Sequence, residues 1–457
     1  MKWTLLLAFF LRLINLNQSL WLDEAFQYKS TYFFSLKDLL TVYLPNDFNP
    51  PLSYLINFFF NRAFGWSEVA LRLPSVIFGV LTVWLVYKLG RLLFNKQKPA
   101  IFASLLLATA PLHLYYSQEA RMYSLVTLAV TGSIWALISF LKTNRHLLWY
   151  IFFSILVIYS HYLAWFIFPA HLAITFLLKR SQLKTLILSQ LLSFLAFLPW
   201  LPIFLQQLQT GLAASSASQE WSQVVGGLNL KQLLLIPIKF LIGRISIDNN
   251  LIFALALALP LALISFLFFK ALAKSNLALK TLFSWLIIPL LLIILISIKI
   301  PVLAYFRLLF LLPAFYLILT LGIINLKKSP QLLAFKALLL INLLCSAIYL
   351  LNPKFHREDW QALTQALVSL NQKPYPVLII SVVDAPVKYY YTSQNYVPTD
   401  NLSSVLDQPE LWYIPYAEPI FDSQLQTRHQ LSQAGFQEDF KQHFRGNLTL
   451  IKYIKPL

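Results

Sequence analysis

Long apolar runs recur along residues 1–351 of this chain, separated by short polar breaks. A helix that crosses a bilayer needs about 20 predominantly apolar residues. On that basis we expect about eleven membrane-spanning helices, near residues 3–20, 71–94, 99–117, 122–141, 147–161, 162–178, 185–205, 250–269, 281–298, 302–325 and 331–351. Only 12% of the residues are charged and 58% are apolar, whereas soluble domains have about 25% and 45–50%. The chain is therefore predicted to be a polytopic α-helical membrane protein.

The charges before residue 352 separate onto two sides of the predicted membrane. Sixteen bases lie on one side: Lys2, Lys88, Arg91, Lys96, Lys98, Lys142, Arg145, Lys179, Arg180, Lys184, Lys270, Lys274, Lys280, Lys327, Lys328 and Lys336. The eight acids lie on the other: Asp23, Glu24, Asp38, Asp47, Glu68, Glu119, Glu220 and Asp248. Because basic loops face the cytoplasm, we predict a multi-pass plasma-membrane protein with a cytoplasmic amino terminus. The net charge of +18 then mostly signals orientation, and no nucleic-acid partner is expected.

Two regions on the predicted outer side are too long to be turns. In the first, Ala25–Leu44 and Pro50–Phe64 are amphipathic and contain aromatic residues, which is typical of helices lying at the membrane interface. In the second, the Ser-, Gln- and Gly-rich stretch Thr210–Gly227 predicts a mobile loop. The amphipathic stretch Lys231–Ile247 that follows is interpreted either as a lid or as a re-entrant segment.

Residues 352–457 differ in character, with nine Lys and Arg, ten Asp and Glu, and no apolar run of spanning length. Strand patterns cover Pro376–Val383, Leu411–Tyr416 and Asn447–Ile454. Helical patterns cover Asp359–Leu370, Pro386–Tyr391 and Ser423–Ala434, the last followed by Gly435 as a C-cap. This alternation predicts a small extracytoplasmic α/β domain over 352–457, after a transmembrane domain over 1–351.

The acids and bases beside the predicted spans are the first candidates for chemistry, because ionisable groups there are costly and commonly functional. Asp23 and Glu24 directly follow Trp21 at the outer end of the first span. Asp23 either faces a reaction centre or caps the helix that follows. Glu119 and Arg121, at the junction of the third and fourth spans, suit either a charge anchor with a substrate contact or a local pair that closes a tight turn.

Three more residues pose similar alternatives. Arg307 lies six residues after Pro301 in a run otherwise free of charge. Its guanidinium group either binds an anion at the depth of the lipid phosphates or extends to the surface. Arg72 presents the same choice. His161, at another outer junction, is either a ligand-binding residue or a structural residue at the interface.

The sequence contains no Gly-rich phosphate loop, no paired Cys and no HExxH-type spacing, so nucleotide binding of the familiar soluble kinds is not supported. The His positions do not indicate a metal site by spacing. Asp23, Glu119, His113 and His161 could still come together in space around a metal ion.

Five motifs, in order along residues 19–313, resemble those of GT-C superfamily glycosyltransferases. They are Ser19-Leu20-Trp21-Leu22-Asp23-Glu24-Ala25, Pro50-Pro51-Leu52-Ser53-Tyr54, Leu71-Arg72-Leu73-Pro74-Ser75, Gln118-Glu119-Ala120-Arg121-Met122-Tyr123, and Arg307 with Leu311-Leu312-Pro313. The most similar branch is the family 39-like one, which includes protein mannosyltransferases and bacterial aminoarabinose and lipopolysaccharide-core transferases. The carboxyl-terminal region is much less characteristic of the family.

The resemblance implies an inverting enzyme that moves a hexose or pentose from a polyprenyl-phosphate donor to an acceptor hydroxyl at the outer membrane face. The acceptor would be a protein, a lipid or a glycan. The general base of the family is the Asp of the first loop, which corresponds to Asp23. Arg307, helped by other arginines, would stabilise the charge that develops on the departing lipid phosphate. The motifs imply a substrate-binding set of Glu24, Arg72, Glu119, Arg121, Tyr123, His161 and Arg307.

The sequence departs from the family at one position and leaves the cofactor open. The branch often has His before its Pro-Pro pair, where this chain has Asn49. A neutral amide cannot shuttle protons, so any role that depends on that His is in doubt. Some relatives bind a divalent ion near the acidic loops. The sequence therefore establishes no cofactor. A divalent metal ion is the one candidate, and Asp23 and Glu119 are its candidate ligands.

Two other function classes compete with the enzyme. A polytopic transporter or lipid flippase would show internal repeats, broken helices near the midplane and acids within the spans. Here the acids cluster on one face and no inverted halves are visible. A catalytically inactive scaffold whose outer domain binds a partner is the third class.

Overall fold

The computed structural model of the protein describes residues 1–217, 226–391 and 395–456. By packing, the chain divides into two compact units. Unit 1 comprises Met1–Leu16, Lys37–Phe60 and Arg72–Phe355, and unit 2 comprises Asn17–Leu36, Asn61–Leu71 and His356–Leu457. Two segments of the first outer loop thus pack with the carboxyl-terminal region. The predicted domain division at residues 351 and 352 stays a prediction.

Unit 1 is helical. Its longer helices, including those that begin or end in it, are Lys2–Leu13, Leu52–Phe64, Glu68–Phe94, Gln97–Ala108, Tyr123–Thr143, Leu147–Ser160, Ile167–Lys179, Leu183–Leu195, Leu201–Ala217, Leu230–Ile242, Asn250–Leu272, Leu277–Ile296, Leu312–Ile324 and Lys328–Leu351. Shorter helical segments lie between them: Leu36–Asp38, Leu39–Tyr43, Leu44–Asn46, Pro111–Ser117, Tyr162–Phe166, Arg180–Gln182, Leu198–Trp200, Tyr305–Leu311 and Pro353–Phe355.

Seven helical stretches in the described part of the chain are long and apolar enough to cross a membrane, or eight if one bent pair counts as a single span. The seven are Glu68–Phe94, Tyr123–Thr143, Tyr162–Ala213, Asn250–Leu272, Leu277–Ile296, Tyr305–Ile324 and Lys328–Leu351. The bent pair is Gln97–Ala108 with Pro111–Ser117, which turns by 60°. The predicted class of polytopic α-helical membrane protein is therefore confirmed.

Fewer helical stretches meet this length test than the eleven apolar runs of the sequence, because backbone hydrogen bonding does not follow every apolar run. The first run forms only the 12-residue helix Lys2–Leu13. The helix Leu147–Ser160 has 14 residues and is also below spanning length. The runs at 162–178 and 185–205 belong to one helical stretch, Tyr162–Ala213. Hydropathy locates the apolar residues, but the points where helices break decide how many spans they form.

The two amphipathic stretches of the first outer loop are helical, although the first is interrupted. Its opening part is the helix Leu22–Phe33, which ends where Phe34 adopts an extended conformation. Short helical segments then follow over 36–46, and the second stretch forms Leu52–Phe64. Their position at the membrane interface stays a prediction.

The region 206–249 is more helical than expected. The beginning of the predicted mobile stretch Thr210–Gly227 belongs to the helix Leu201–Ala217, and residues 218–225 lie outside the described part of the chain. The amphipathic stretch forms the helix Leu230–Ile242, which ends at Gly243 with φ +67°. Its role as a lid stays a prediction.

Two apolar helices of unit 1 approach each other closely at Gly322. A Cβ atom placed on Gly322 would lie 2.1 Å from the carbonyl oxygen of Leu267, so no larger residue fits unless one backbone moves. Gly322 lies in Leu312–Ile324 and Leu267 lies in Asn250–Leu272. Small residues at such crossings let membrane helices pack backbone against backbone.

We expect Gly322→Ala to lower the free energy of unfolding by about 1–3 kcal/mol, the usual effect of overpacking. Thermal unfolding in detergent micelles measures the change. Gly211→Ala is the matched control, because its Cβ would lie 3.6 Å from Cδ1 of Phe48, an ordinary contact, and Ala is preferred to Gly within a helix. Equal destabilisation by both substitutions would contradict the close approach at Gly322.

Unit 2 contains a five-stranded mixed sheet with the order β2-β1-β3-β5-β4. The strands are β1 Val377–Ile379, β2 Tyr396–Pro398, β3 Glu410–Ile414, β4 Gln437–Phe444 and β5 Leu448–Ile454. β1 pairs in parallel with β2 and β3, and β5 pairs antiparallel with β3 and β4. The helices of this unit are Leu22–Phe33, Trp360–Leu370, Ser381–Val383, Ala385–Tyr390, Thr399–Val405, Glu418–Phe421 and Gln426–Gln433.

The sheet of unit 2 has an apolar cluster on each face. Along β1, Val377 and Ile379 join the cluster that contains Trp360, while Leu378 joins the one that contains Tyr413. This alternation is the two-residue period of a strand that is covered on both sides. The small α/β domain expected from the sequence is therefore present.

The details of this domain differ from the expectation at three strands, of which β2, Tyr396–Pro398, was not predicted. β1 is only three residues long because the chain turns into the helical segment Ser381–Val383. β4 was not predicted, since its sequence, Gln-Glu-Asp-Phe-Lys-Gln-His-Phe, lacks apolar alternation. An edge strand of this kind carries charges on its exposed positions. The helix Trp360–Leu370 begins as expected, because the Asp359 side chain accepts a hydrogen bond from the backbone N–H of Ala362.

Candidate functional site

The predicted site residues fall into both units, and each group is described within its own unit. Asp23 and Glu24 belong to unit 2. The remaining predicted residues belong to unit 1: Arg72, Glu119, Arg121, Tyr123, His161 and Arg307.

Asp23 is the second residue of the helix Leu22–Phe33 and is half-buried. The N-cap position is occupied by Trp21, which makes no side-chain capping bond. Asp23 therefore does not cap this helix, and that alternative is wrong. The charge of Asp23 acts on Glu358 and Tyr416 of the same unit. The carboxylate thus lies near a second acid and a phenol, in the helix's first turn, where negative charge is favourable.

Glu24 has a charged partner that the sequence did not reveal. Its Oε2 atom lies 3.4 Å from Nε of Arg357, and both side chains are almost fully buried. A buried charge that loses its partner costs far more than an exposed one. The carboxylate of Glu24 therefore holds the first turn of its helix against Arg357.

Glu358 completes the acidic group of unit 2. Its Oε2 atom accepts hydrogen bonds from the backbone N–H of Leu22 (3.3 Å) and from Nε1 of Trp360 (2.8 Å). Its Oε1 atom accepts one from the hydroxyl of Tyr416 (2.5 Å). Burial raises the pKa of the Glu358 carboxyl, and these three hydrogen bonds partly offset that effect.

In unit 1, aromatic rings surround Tyr123. The ring centroids of Tyr116, Phe306 and His161 lie 5.0, 5.5 and 6.4 Å from that of Tyr123. These four residues come from three separate parts of the sequence, and Tyr123 itself is buried. The second-loop motif is therefore packed directly against the residue that precedes Arg307.

Two predicted arginines act on this aromatic group. The guanidinium groups of Arg121 and Arg307 are both close enough to His161 to interact with it electrostatically. That of Arg307 also lies 5.6 Å from the ring centroid of Phe306. His161 accepts a hydrogen bond at Nδ1 from the backbone N–H of Leu163 (3.1 Å). In its neutral form the ring therefore presents Nε2–H as a donor.

A third arginine, Arg244, joins this region although the sequence did not single it out as a site residue. Its Nη1 atom donates to the hydroxyl of Tyr115 (3.0 Å), and its guanidinium lies 4.9 Å from that ring's centroid. It interacts electrostatically with Tyr116, Tyr305 and Glu119. In the sequence, Arg244 is a lone basic residue directly after Gly243, which ends a helix. That pattern is common in loops and does not by itself indicate a functional residue.

Glu119 and Arg72 are both fully buried in unit 1. The charge of Glu119 acts on Tyr116 and Arg244, so the structure brings this predicted acid into the arginine and tyrosine group. Arg72 donates from Nη1 to the carbonyl oxygen of Leu16 (2.8 Å). Arg72 therefore has a backbone partner near the end of the first helix, and its predicted contact with substrate stays a prediction.

The position at which the chain departs from the family, Asn49, is part of a hydrogen-bonded turn. Nδ2 of Asn49 donates to Oδ1 of Asp47 (2.8 Å), and the hydroxyl of Tyr54 donates to Oδ2 of the same carboxylate (2.6 Å). The Asn49 carbonyl oxygen accepts from Nε2 of Gln207 (3.0 Å). The amide thus stabilises a turn, a task that requires no proton transfer.

The described residues contain no group of three or more His, Cys, Asp or Glu side chains that could hold a metal ion. His113, one of the residues considered for such a group, lies with Nδ1 2.7 Å from Nη2 of Arg12. A ring nitrogen that faces a guanidinium group is a poor metal ligand. A divalent ion at Asp23 and Glu119 stays a prediction.

The group in unit 1 suits an anion. We call the three arginines and the rings around them the arginine–aromatic group. Its members are Arg121, Arg244, Arg307, Tyr115, Tyr116, Tyr123, His161 and Phe306. It contains three guanidinium groups, and the carboxylate of Glu119 interacts electrostatically with the guanidinium of Arg244. Arginine binds phosphate through planar, charge-assisted hydrogen bonds. The arrangement can therefore neutralise a phosphate and hold a sugar against aromatic faces.

Comparisons with known proteins agree with the sequence motifs. Residues 48–205 match the family model described as dolichyl-phosphate-mannose-protein mannosyltransferase. That segment includes five of the predicted site residues, namely Arg72, Glu119, Arg121, Tyr123 and His161. A search of proteins with curated function gives no match.

Several solved structures share the fold at low sequence identity. ArnT from Cupriavidus metallidurans, bound to undecaprenyl phosphate, is 13% identical with a TM-score of 0.61, over 99% of this chain and 96% of that one. The Archaeoglobus fulgidus oligosaccharyltransferase in complex with Zn and sulfate is 12% identical with a TM-score of 0.56, over 96% and 72%. AglB from the same organism, with an inhibitory peptide and a dolichol-phosphate, is 12% identical with a TM-score of 0.57, also over 96% and 72%. The chain shares the fold of these structures, and the resemblance expected from the sequence motifs is confirmed.

Proposed function

We propose that this multi-pass membrane protein is an inverting glycosyltransferase that moves a sugar from a polyprenyl-phosphate donor to an acceptor hydroxyl on the extracytoplasmic face. The observation that carries the proposal is the arginine–aromatic group, in which guanidinium groups from three distant segments gather around buried aromatic rings. The family match over residues 48–205 supports it. Two of the fold relatives were solved with undecaprenyl phosphate or a dolichol-phosphate bound, and these are lipids of the proposed donor class.

On the donor side, Arg307 has the central role. When the bond between the anomeric carbon and the phosphate oxygen breaks, negative charge develops on the lipid phosphate. A fixed cation stabilises that charge more in the transition state than in the bound donor, and the rate rises for that reason. Arg121 and Arg244 add positive charge in the same unit, and Tyr123 and His161 offer an aromatic face and an Nε2–H donor to the sugar.

On the acceptor side, Asp23 is the general base. The acceptor oxygen forms a bond to the anomeric carbon as the phosphate leaves, and the hydroxyl proton passes to the carboxylate of Asp23. Attack opposite the leaving group inverts the anomeric centre. Polyprenyl phosphate and the glycosylated acceptor are the products, and the proton returns from Asp23 to solvent. General base catalysis of this kind contributes about 10²–10⁴-fold to the rate.

The other predicted residues support these two functions. Glu119 holds Arg244, Glu24 holds the first turn that carries Asp23, and Arg72 supports the backbone near Leu16. The orientation inferred from the basic loops puts the amino terminus in the cytoplasm and residues 352–457 outside. Membrane lipids surround the apolar helices, and the acceptor is a protein, a lipid or a glycan.

Release of polyprenyl phosphate tests the proposal. Purified protein in vesicles is given undecaprenyl-phosphate and dolichyl-phosphate sugars labelled in the sugar, together with membrane-extracted acceptors. We expect the label to leave the lipid and free polyprenyl phosphate to appear. Movement of intact donor from one leaflet to the other, without cleavage, would contradict the proposal and favour a flippase. Empty vesicles are the control.

A further inference from the structure

The helix that carries Asp23 has no capping residue of its own. Helices leave their first backbone N–H groups without partners inside the helix, and a side chain at the N-cap commonly accepts one of them. Here the N-cap is Trp21, whose side chain makes no such bond. The backbone N–H of Leu22, the first helical residue, instead donates to Oε2 of Glu358 (3.3 Å). A carboxylate distant in sequence thus takes the place of the missing cap.

Glu358 is held firmly enough to serve as that cap. Its two oxygens accept hydrogen bonds from Nε1 of Trp360 (2.8 Å) and from the hydroxyl of Tyr416 (2.5 Å). The rings of these two donors pack edge to face at 5.0 Å. A Cβ atom on Gly446 would lie 2.7 Å from Cα of Glu358. Because Gly446 has no side chain, the backbone of residue 358 can lie directly against the turn between β4 and β5. The carboxylate therefore has a defined position.

The neighbouring residues of the same two segments are joined as well. Glu24 pairs with Arg357 inside the unit (3.4 Å). The hydroxyl oxygen of Ser19 accepts from the backbone N–H of Gln361 (3.2 Å). Contacts therefore lie on both sides of Asp23 in sequence, and the carboxylate of Asp23 is near enough to Glu358 and Tyr416 to interact with both electrostatically.

We propose that Glu358 is a positioning residue, which caps the helix Leu22–Phe33 and so orients the carboxylate of Asp23 for proton abstraction. The inference rests on the proposed function, because it assigns Asp23 the role of general base. It gives the carboxyl-terminal region a task in the reaction that its sequence does not indicate. A displacement of about 1 Å in a reacting group can cost about 100-fold in rate, so loss of the cap should be visible in kcat.

Three variants of the full-length protein test the proposal. Glu358→Ala removes every hydrogen bond of the cap. In Glu358→Gln the amide oxygen still accepts from Leu22 and Trp360, and the amide nitrogen can donate to the hydroxyl oxygen of Tyr416. Glu418→Gln is the matched control, because Glu418 is also buried in unit 2 and accepts hydrogen bonds from Tyr413 and Arg428.

Hydrogen–deuterium exchange over residues 20–27 and steady-state kinetics are the two measurements. For Glu358→Ala we expect faster exchange in that peptide and a kcat lower by up to about 100-fold, with little change in KM for the lipid donor. Glu358→Gln should restore both values, and Glu418→Gln should change neither. Normal kcat in Glu358→Ala would overturn the proposal, as would a Glu358→Gln variant no better than Glu358→Ala.

The exchange measurement separates this inference from the proposed function. If the wild-type protein cleaves no polyprenyl-phosphate sugar, the proposed function fails, and with it the catalytic part of the inference. Faster exchange in Glu358→Ala would then still support the capping contact. If the wild-type protein is active and Asp23→Asn is inactive, but Glu358→Ala exchanges and reacts like wild type, the inference alone fails.

Discussion

Replacing Asp23 by Asn is expected to lower the rate of sugar transfer by about 100- to 10,000-fold, while the protein still inserts into the membrane. Asn has nearly the same shape as Asp but cannot accept a proton from the acceptor hydroxyl. The side chain is half-buried in the first turn of its helix and does not occupy the N-cap position, so the substitution should change stability little. Release of labelled sugar from the donor measures the rate, and size-exclusion chromatography in detergent verifies the fold.

Asp38→Asn is the matched control for this substitution. Asp38 is another carboxylate of the predicted outer side and is exposed, so its loss should leave transfer unchanged. Full activity of Asp23→Asn would contradict the assignment of Asp23 as general base. Equal losses in both variants would contradict it as well, because the effect would then come from the negative charge of the outer region in general.

Replacing Arg307 by Ala is expected to lower kcat by about 100- to 1,000-fold, the usual cost of removing one group that stabilises developing negative charge. Arg307 interacts with His161 and lies over the ring of Phe306, so its cation belongs to the arginine–aromatic group. We expect KM for the donor to rise as well, since the phosphate is charged before the reaction. Initial rates at several donor concentrations separate the two effects.

Arg307→Lys and Arg91→Ala are the comparison variants. Lys keeps the charge but lacks the planar pair of donors that suits phosphate, so we expect partial activity. Arg91 is exposed, lies near the end of Glu68–Phe94 and carries the positive charge of a predicted cytoplasmic loop. Its loss should not affect transfer. An Arg307→Ala protein with normal kcat would contradict the role of Arg307 in stabilising the leaving phosphate.

Much of the fold could be predicted because apolar runs and charge patterns are local properties. The membrane class and the small α/β domain followed from them. Span lengths did not, because the bend between Gln97–Ala108 and Pro111–Ser117 interrupts a predominantly apolar run. The polar edge strand Gln437–Phe444 was also hidden, because its pairing with Leu448–Ile454 depends on backbone hydrogen bonds rather than on its side chains.

The candidate site divides in the same way. Asp23, Glu119 and Arg307 stood out as charges beside apolar runs and within motifs. Arg244 and Glu358 did not, because each occurs among other polar residues and matters only through its contacts. Arg244 meets Tyr115 across 129 positions, and Glu358 meets Leu22 across 336. No local pattern reports contacts at such separations.

The sequence by itself determined that this chain must fold in a bilayer, since so many apolar runs are not compatible with water. It also located the acids and arginines beside those runs, where an ionised side chain is energetically costly. Only the tertiary structure decided what surrounds them. It packed Asn17–Leu36 and Asn61–Leu71 with the carboxyl-terminal sheet, buried Glu24 against Arg357, and left Asp23 in a turn whose cap comes from Glu358. The physical reason is that burial and hydrogen bonding depend on which distant segments meet, whereas hydropathy and charge belong to each residue alone.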